Sequence, residues 1–183
     1  GSSGTDIYLH DTYFVLAHFH YTFVPIAILA TFTAIYYWFP KMFGRFMNET
    51  WGKIHFWGTI IGFNGIFIPL FVLGAAGQHR RIYNFEHFQD LSGEAMQDMR
   101  VFATISLIVM LLFQIPFLVN FAVSLFKGKK ASANPWKANT LEWVAPSPPP
   151  HGNFGANLPD VHRGPYEFSV EGREKDYWPQ NEK

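Results

Sequence analysis

The sequence contains no cysteine, which excludes disulfides and thiolate metal sites. It has no excess of charge of either sign: 14 Lys and Arg offset 14 Asp and Glu, so nothing directs the chain to nucleic acid. The lead-in before Val15 carries no Lys or Arg, and Ala131 to Lys183 contains no long apolar run. No secretory signal is recognisable, and Gly1-Ser2-Ser3-Gly4 reads as a tag remnant or a native loop. No internal repeat is evident.

What is present emerges once the chain is divided. Mean hydropathy is near zero because a polar tail dilutes three apolar stretches, Val15 to Phe39, Ile54 to Gly74 and Val101 to Phe126. At about 1.5 Å per residue each reaches about 30 Å or more, enough to cross the hydrocarbon core of a bilayer. The expectation is an all-α integral membrane protein with three transmembrane helices and an extended proline-rich C-terminal tail. Residues 1–14 form an outer-side lead-in, 15–126 the three-helix membrane region and 127–183 the inner-side tail.

The stretch His10-Asp11-Thr12-Tyr13-Phe14-Val15-Leu16-Ala17-His18-Phe19-His20-Tyr21 organises the rest. It holds three of the eight histidines and carries His18 and His20 into a span, where an ionisable side chain is costly and points to function. Residues i and i+2 lie about 200° apart on a helix, so His18 and His20 leave it on nearly opposite sides. Two ligands to one ion want the i, i+3 or i, i+4 spacing instead. The pair therefore points to two cofactors, one on each flank with Phe19 between them, and axial ligation of heme iron is the common use of one imidazole per cofactor. The plainer alternative is two histidines that hydrogen-bond to neighbouring helices and bind nothing. His10 and Asp11 offer one nitrogen and one carboxylate, a set suited to partly hydrated Mg2+ or Mn2+. Taken alone, Asp11 reads as a helix N-cap.

Pro25 predicts a bend in the first span, which Tyr36, Tyr37 and Trp38 close as interfacial aromatics. The loop from Pro40 to Lys53 carries Lys41, Arg45 and Lys53 against Glu49 and marks the inner side. In the second span Gly58, Gly62 and Gly65 form a surface for another helix or a flat cofactor, with helix packing the ordinary reading. His55 and Asn64 could be ligands, although His55, at the membrane boundary, reads rather as a hydrogen-bonding interface residue, and Pro69 predicts a kink. Alternation then places the N-terminus and the loop from Ala75 to Arg100 outside, with Lys127, Lys129 and Lys130 inside. That outer loop holds Arg80 and Arg81 beside Glu86, Asp90, Glu94 and Asp98. Paired guanidinium groups match carboxylates bidentately, and heme propionates at the outer end of His18 and His20 would meet them. The third span, interrupted by Gln114, Pro116 and Asn120, reads as packing. The tail holds eight of the twelve prolines, including Pro148-Pro149-Pro150, and is expected to lie extended on partner surfaces.

These residues together resemble the heme-copper (haem-copper) oxidases, and within them the cytochrome c oxidase subunit I family. His10-Asp11-Thr12-Tyr13 with Ala17-His18-Phe19-His20-Tyr21 is similar to a heme-ligating helix of that subunit and the loop before it. Gly77, Arg80 and Arg81 resemble its Gly-x-x-Arg-Arg loop, with Gln78-His79 where the family usually has Met-Pro. Thr140-Leu141-Glu142-Trp143 with Ser147-Pro148-Pro149-Pro150 resembles its tail motif. The likeness runs from about residue 5 to residue 155.

The resemblance implies a proton-pumping terminal oxidase that reduces O2 to water with electrons from cytochrome c. His18 would be the proximal ligand of a high-spin heme A where oxygen is reduced, and His20 an axial ligand of a low-spin heme A that supplies electrons. Arg80 and Arg81 would hold propionates, and His10 and Asp11 would help bind Mg2+ at the contact with subunit II. That subunit I has many more spans than three, so the chain would be the C-terminal part of a split subunit, active only in complex. An N-terminal piece would complete the bundle and carry the copper, with subunits II and III as further partners beside membrane lipid and no nucleic acid. The implied location is a bacterial inner (plasma) or mitochondrial inner membrane. The rival readings are a quinol oxidase of the same superfamily, a non-catalytic structural subunit of a respiratory complex, and a heme-binding electron carrier without oxygen chemistry.

Overall fold

The computed structural model describes residues 3–84, 93–167 and 170–183; Gly1 and Ser2, and Glu86 and Asp90 of the loop from Ala75 to Arg100, lie outside them. The described residues form α1 (Asp6–Leu9), α2 (Tyr13–Val24), a π-helical turn (Pro25–Leu29), α3 (Ala30–Phe43), α4 (Glu49–Ala75), α5 (Glu94–Leu112), α6 (Gln114–Lys127) and α7 (Leu141–Val144). Among the described residues, three stretches are long and apolar enough to cross a membrane: Tyr13–Phe43, Glu49–Ala75 and Glu94–Lys127. The protein is a helical membrane protein.

Proline explains where the helices change register. Pro25 has no N–H for the Tyr21 carbonyl, and the chain answers with the π-helical turn over Pro25–Leu29. Pro116 likewise leaves the Leu112 carbonyl without its partner four residues on, and α5 ends at Leu112. Pro40 and Pro69, by contrast, sit inside α3 and α4. The connection between the first and second spans is shorter than the loop from Pro40 to Lys53, because α3 runs to Phe43 and α4 starts at Glu49. The third span also begins earlier than its apolar run, at Glu94.

The chain divides into two compact units. In the first, Gly1–Thr33 with Glu49–Val119, α4 is central. Ala17 of α2 packs with Phe63, Ile66 and Phe67 of α4, and Met110 of α5 closes on them. The glycine row of α4 is the surface on which α5 rests: a methyl group at Gly58 would enter the Phe113 ring, and one at Gly62 would lie 2.6 Å from the Met110 Cβ. Ser106 fills the corresponding space at Gly65. A polar cluster sits beside this packing, where His55 Nε2 lies 3.0 Å from Gln114 Oε1 and Gln114 Nε2 donates to Thr59 Oγ1. His55 is buried and makes the hydrogen bond expected of it, within the packing of this unit.

In the second unit, Ala34–Asn48 with Asn120–Lys183, the tail folds back on the end of α3. Lys41 Nζ donates to the carbonyls of Ala145 and Ala133 and lies 5.1 Å from the ring of Trp143, which is almost wholly buried. Farther along, Asn139 and Gln180 join residues 176–180 to the start of α7 through Trp178 N–H to Asn139 Oδ1 and Leu141 N–H to Gln180 Oε1.

Candidate functional site

The site begins with the two ends that bring residues 10–13 and 77–81 together. Helix α4 terminates in a Schellman motif: Gln78 N–H donates to the Leu73 carbonyl, Gly77 N–H to the Gly74 carbonyl, and Gly77 takes φ +92°, a conformation open to glycine. The cap turns the chain so that Tyr13 N–H donates to the Gln78 carbonyl and Arg80 N–H to the Asp11 carbonyl. Thr12 and His79 pair between those two bonds as an antiparallel bridge. A Cβ on Gly74 would strike the Phe14 backbone, so the close approach of α2 to the end of α4 requires glycine there.

Helix α2 is capped by Thr12, not by Asp11. The Thr12 hydroxyl accepts from Phe14 N–H and donates to the Leu9 carbonyl, whereas Asp11 has φ +56° and turns its carboxylate to Arg80. Arg80 donates from Nε (2.8 Å) and Nη2 to Asp11 Oδ1. Its hydrogen bond, ahead of the nearby charges of Arg80, His10 and Arg81, holds the Asp11 carboxyl below the usual carboxylate value, while partial desolvation opposes the shift. His10 Nε2 lies 3.4 Å from the other Asp11 oxygen and His10 Nδ1 3.9 Å from Asp6.

The structure thus places each candidate residue. His10 is exposed and beside Asp11; Asp11 is bound to Arg80; Arg81 is exposed, with φ +64°. Of the five N–H groups on a guanidinium, Arg80 uses two on Asp11, which leaves three for another carboxylate. His18 and His20 leave α2 on different sides. His18 is exposed, while His20 is half-buried and lies flat on Phe67 of α4, with ring centroids 4.5 Å apart and planes at 20°.

His20 fits an axial ligand in one specific respect. Its Nδ1 lies 2.7 Å from the Leu16 carbonyl, an oxygen that only accepts, so Nδ1 carries the proton. In the neutral ring that leaves the lone pair on Nε2, which is the form that ligates a metal. The exposed His18 imidazole is open to a ligand on the opposite flank. Fit to Mg2+ is narrower: one Asp11 oxygen is taken by Arg80, so the second oxygen and His10 are the available donors. No cluster of three or more candidate metal ligands occurs among the described residues, so any such ion would draw ligands from water or a partner.

Spacing in the sequence did not mark three contacts in this region. Tyr21 donates to Asn64 Oδ1 at 2.6 Å, Phe67 stacks on His20, and Arg100 donates to Gln78 Oε1 at 2.9 Å. Gln78 is fully buried and its Nε2 has no partner within the described residues. The available signal was the presence of polar Asn64 and Gln78 within or against apolar helices, where each needs a hydrogen bond.

The family model described as Cytochrome C and Quinol oxidase polypeptide I matches residues 1–112. The chain is 40% identical over its whole length to the alternative cytochrome c oxidase subunit 1 of Bradyrhizobium diazoefficiens and covers 31% of that protein. It is 45% identical to the cytochrome c oxidase subunit 1 of Synechocystis over 91% of the chain and 29% of the relative. With the Thermostichus vulcanus subunit 1 the figures are 39%, 96% and 30%. The chain therefore spans about a third of the length of these relatives.

Proposed function

This chain belongs to the cytochrome c and quinol oxidase polypeptide I family, and from that premise we propose that it is the C-terminal part of a split subunit I of a proton-pumping terminal oxidase. The oxidase reduces O2 to water, and the relatives' printed names favour cytochrome c over quinol as donor. The observation that carries this reading is the His20 imidazole, pinned through Nδ1 with Nε2 left to ligate, one residue beyond Phe19 from an exposed His18 on the other flank.

His20 would hold a low-spin heme A and His18 a high-spin heme A. When bound, these groups supply electron transfer and, with copper on the N-terminal piece of the subunit, the oxygen chemistry. The work of this chain is positional and electrostatic. The Leu16 carbonyl keeps the proton on Nδ1 of His20 and so keeps Nε2 basic. Arg81 and the remaining donors of Arg80 would bind propionates on the outer side, with Arg80 held in place by Asp11. The Asp11 oxygen not bonded to Arg80 and the neighbouring His10 would share Mg2+ with subunit II. Apolar side chains on the outward faces of the spans, such as Phe23, Ile26, Ile61 and Ile105, would meet the missing helices, subunit III and lipid. The N-terminus lies outside and the tail inside an energy-transducing membrane.

The test is a reduced-minus-oxidised optical spectrum, with and without carbon monoxide, on the complex isolated in mild detergent through this chain. Two heme components are expected, one of which shifts with carbon monoxide. No heme, or low-spin heme alone with no response to carbon monoxide, would overturn the reading in favour of a structural subunit or an electron carrier.

A further inference from the structure

We infer that Phe67 and the Tyr21–Asn64 hydrogen bond are positioning residues for His20: together they fix the plane of its imidazole and thereby the orientation and donor strength of its free nitrogen. The inference rests on the reading of His20 as an axial ligand and adds residues that act through it.

A single hydrogen bond holds one atom of a ring and leaves the ring free to swing about it. His20 has that bond, from Nδ1 to the Leu16 carbonyl. Phe67 removes the remaining freedom. It lies against the imidazole face at 4.5 Å and 20°, so rotation about the Cβ–Cγ bond drives the imidazole edge into the phenyl ring. Phe19 stands edge-on to the same imidazole at 5.6 Å and 87°. The near-parallel stack on His20 differs from the inclined contacts that the neighbouring α4 aromatics make with α2, such as Tyr21 on Phe63 at 62° and Phe14 on Phe71 at 73°; the other flat pair nearby, Phe19 on Phe23 at 9°, lies within α2 itself. Inclined pairs fill space at many angles, whereas a flat stack on a pinned ring sets a plane.

Phe67 cannot retreat, because it is buried with Phe63 centred 4.8 Å away and Tyr21 6.4 Å away. The register that puts Phe67 opposite His20 is set one residue along α2. The Tyr21 hydroxyl donates to Asn64 Oδ1 at 2.6 Å, and Asn64 Nδ2 donates to the Ile60 carbonyl at 2.8 Å, which fixes the amide orientation. Tyr21 adjoins His20 in sequence, and Asn64 is one helical turn before Phe67. The tie therefore joins the two helices beside the stack, and a slip of α2 along α4 breaks both.

The experiment uses the assembled membrane complex carrying Phe67→Leu, Phe67→Tyr, Tyr21→Phe or, as a control in the same unit, Phe32→Leu, whose ring packs edge-on to His55 and Phe117. Three readouts are followed: the electron paramagnetic resonance g-values of the low-spin heme, its midpoint potential, and its rate of loss to a scavenging apoglobin. Phe67→Leu is expected to shift the g-values and the potential and to speed heme loss about tenfold, the usual scale for supporting contacts to a ligand. Phe67→Tyr should restore all three, and Tyr21→Phe should shift them less in the same sense. Unchanged readouts in Phe67→Leu overturn the inference, as do equal shifts in Phe32→Leu, which would make the effect one of general packing. If Phe67→Leu does not assemble, Tyr21→Phe decides alone, and no shift in it overturns the inference. His20→Ala separates the two levels: a low-spin signal that survives this change means that the axial-ligand reading has failed, and the positioning role with it, whereas its loss together with unmoved signals in the Phe67 and Tyr21 variants means that only the positioning role has failed.

Discussion

Thr12 holds the N-terminal end of the first span through its hydroxyl. It is almost wholly buried, accepts from Phe14 N–H and donates to the Leu9 carbonyl, so Thr12→Ala removes the cap from Phe14 N–H, while the Leu9 carbonyl keeps the Thr12 backbone N–H. A loss of about 1 kcal/mol is expected, read as a lower midpoint in thermal unfolding, with Thr12→Ser close to the parent. Next to it, Asp11 carries a pH dependence. Its folded carboxyl ionises below the ordinary value chiefly through the hydrogen bond from Arg80, so the pair contributes stability above the unfolded carboxylate value. That contribution is lost as pH falls through the lower folded value. Amide exchange at Tyr13 and Arg80, measured relative to amides inside α4, is expected to accelerate below about pH 4. Asp11→Asn should remove that step; an identical step in the variant would mean that Asp11 does not control it.

At the scale of elements, the α4–α5 contact depends on what glycine leaves out. A side chain at Gly62 meets Met110 Cβ at 2.6 Å, so Gly62→Ala forces the helices apart or Met110 out of place. Overpacking of this kind costs about 1–3 kcal/mol. The expected result is reduced thermal stability and assembly yield, partly recovered in the double variant with Met110→Gly, which removes the Cβ that the new methyl group would strike. Additive losses in that cycle would show that the two positions do not meet. In the second unit, Lys41 bonds two tail carbonyls and sits against Trp143, and Lys41→Met is expected to leave the spans intact while limited proteolysis cuts the tail faster. The glycine row, the three spans and the opposed histidines were legible beforehand because each is a matter of local periodicity. The cap was not. Asp and Thr are both good N-caps, and only the claim of Arg80 on Asp11 decides between neighbours.

For the whole molecule, the spans have too little interior of their own. Phe19, Phe23 and Ile26 in the first span and Phe102, Ile105 and Ile108 in the third are exposed, and the chain spans about a third of the length of its relatives. Expressed without the remainder of a subunit I, the chain is expected to aggregate or be degraded, and co-expression should restore a monodisperse, heme-containing complex in size-exclusion chromatography. A stable, heme-loaded three-span monomer would refute the split-subunit reading.

What the sequence determined by itself was a helical membrane protein with His18 and His20 on opposed flanks of the first span, because span length, helical phase and the cost of burying imidazole are local properties. Tertiary structure alone decided which groups those side chains meet. Arg80 finds Asp11 across 69 positions and Tyr21 finds Asn64 across 43, and Phe67 reaches His20 from another helix. Such contacts depend on how the end of α4 turns and on the register of α2 against it, and no spacing within one segment encodes either.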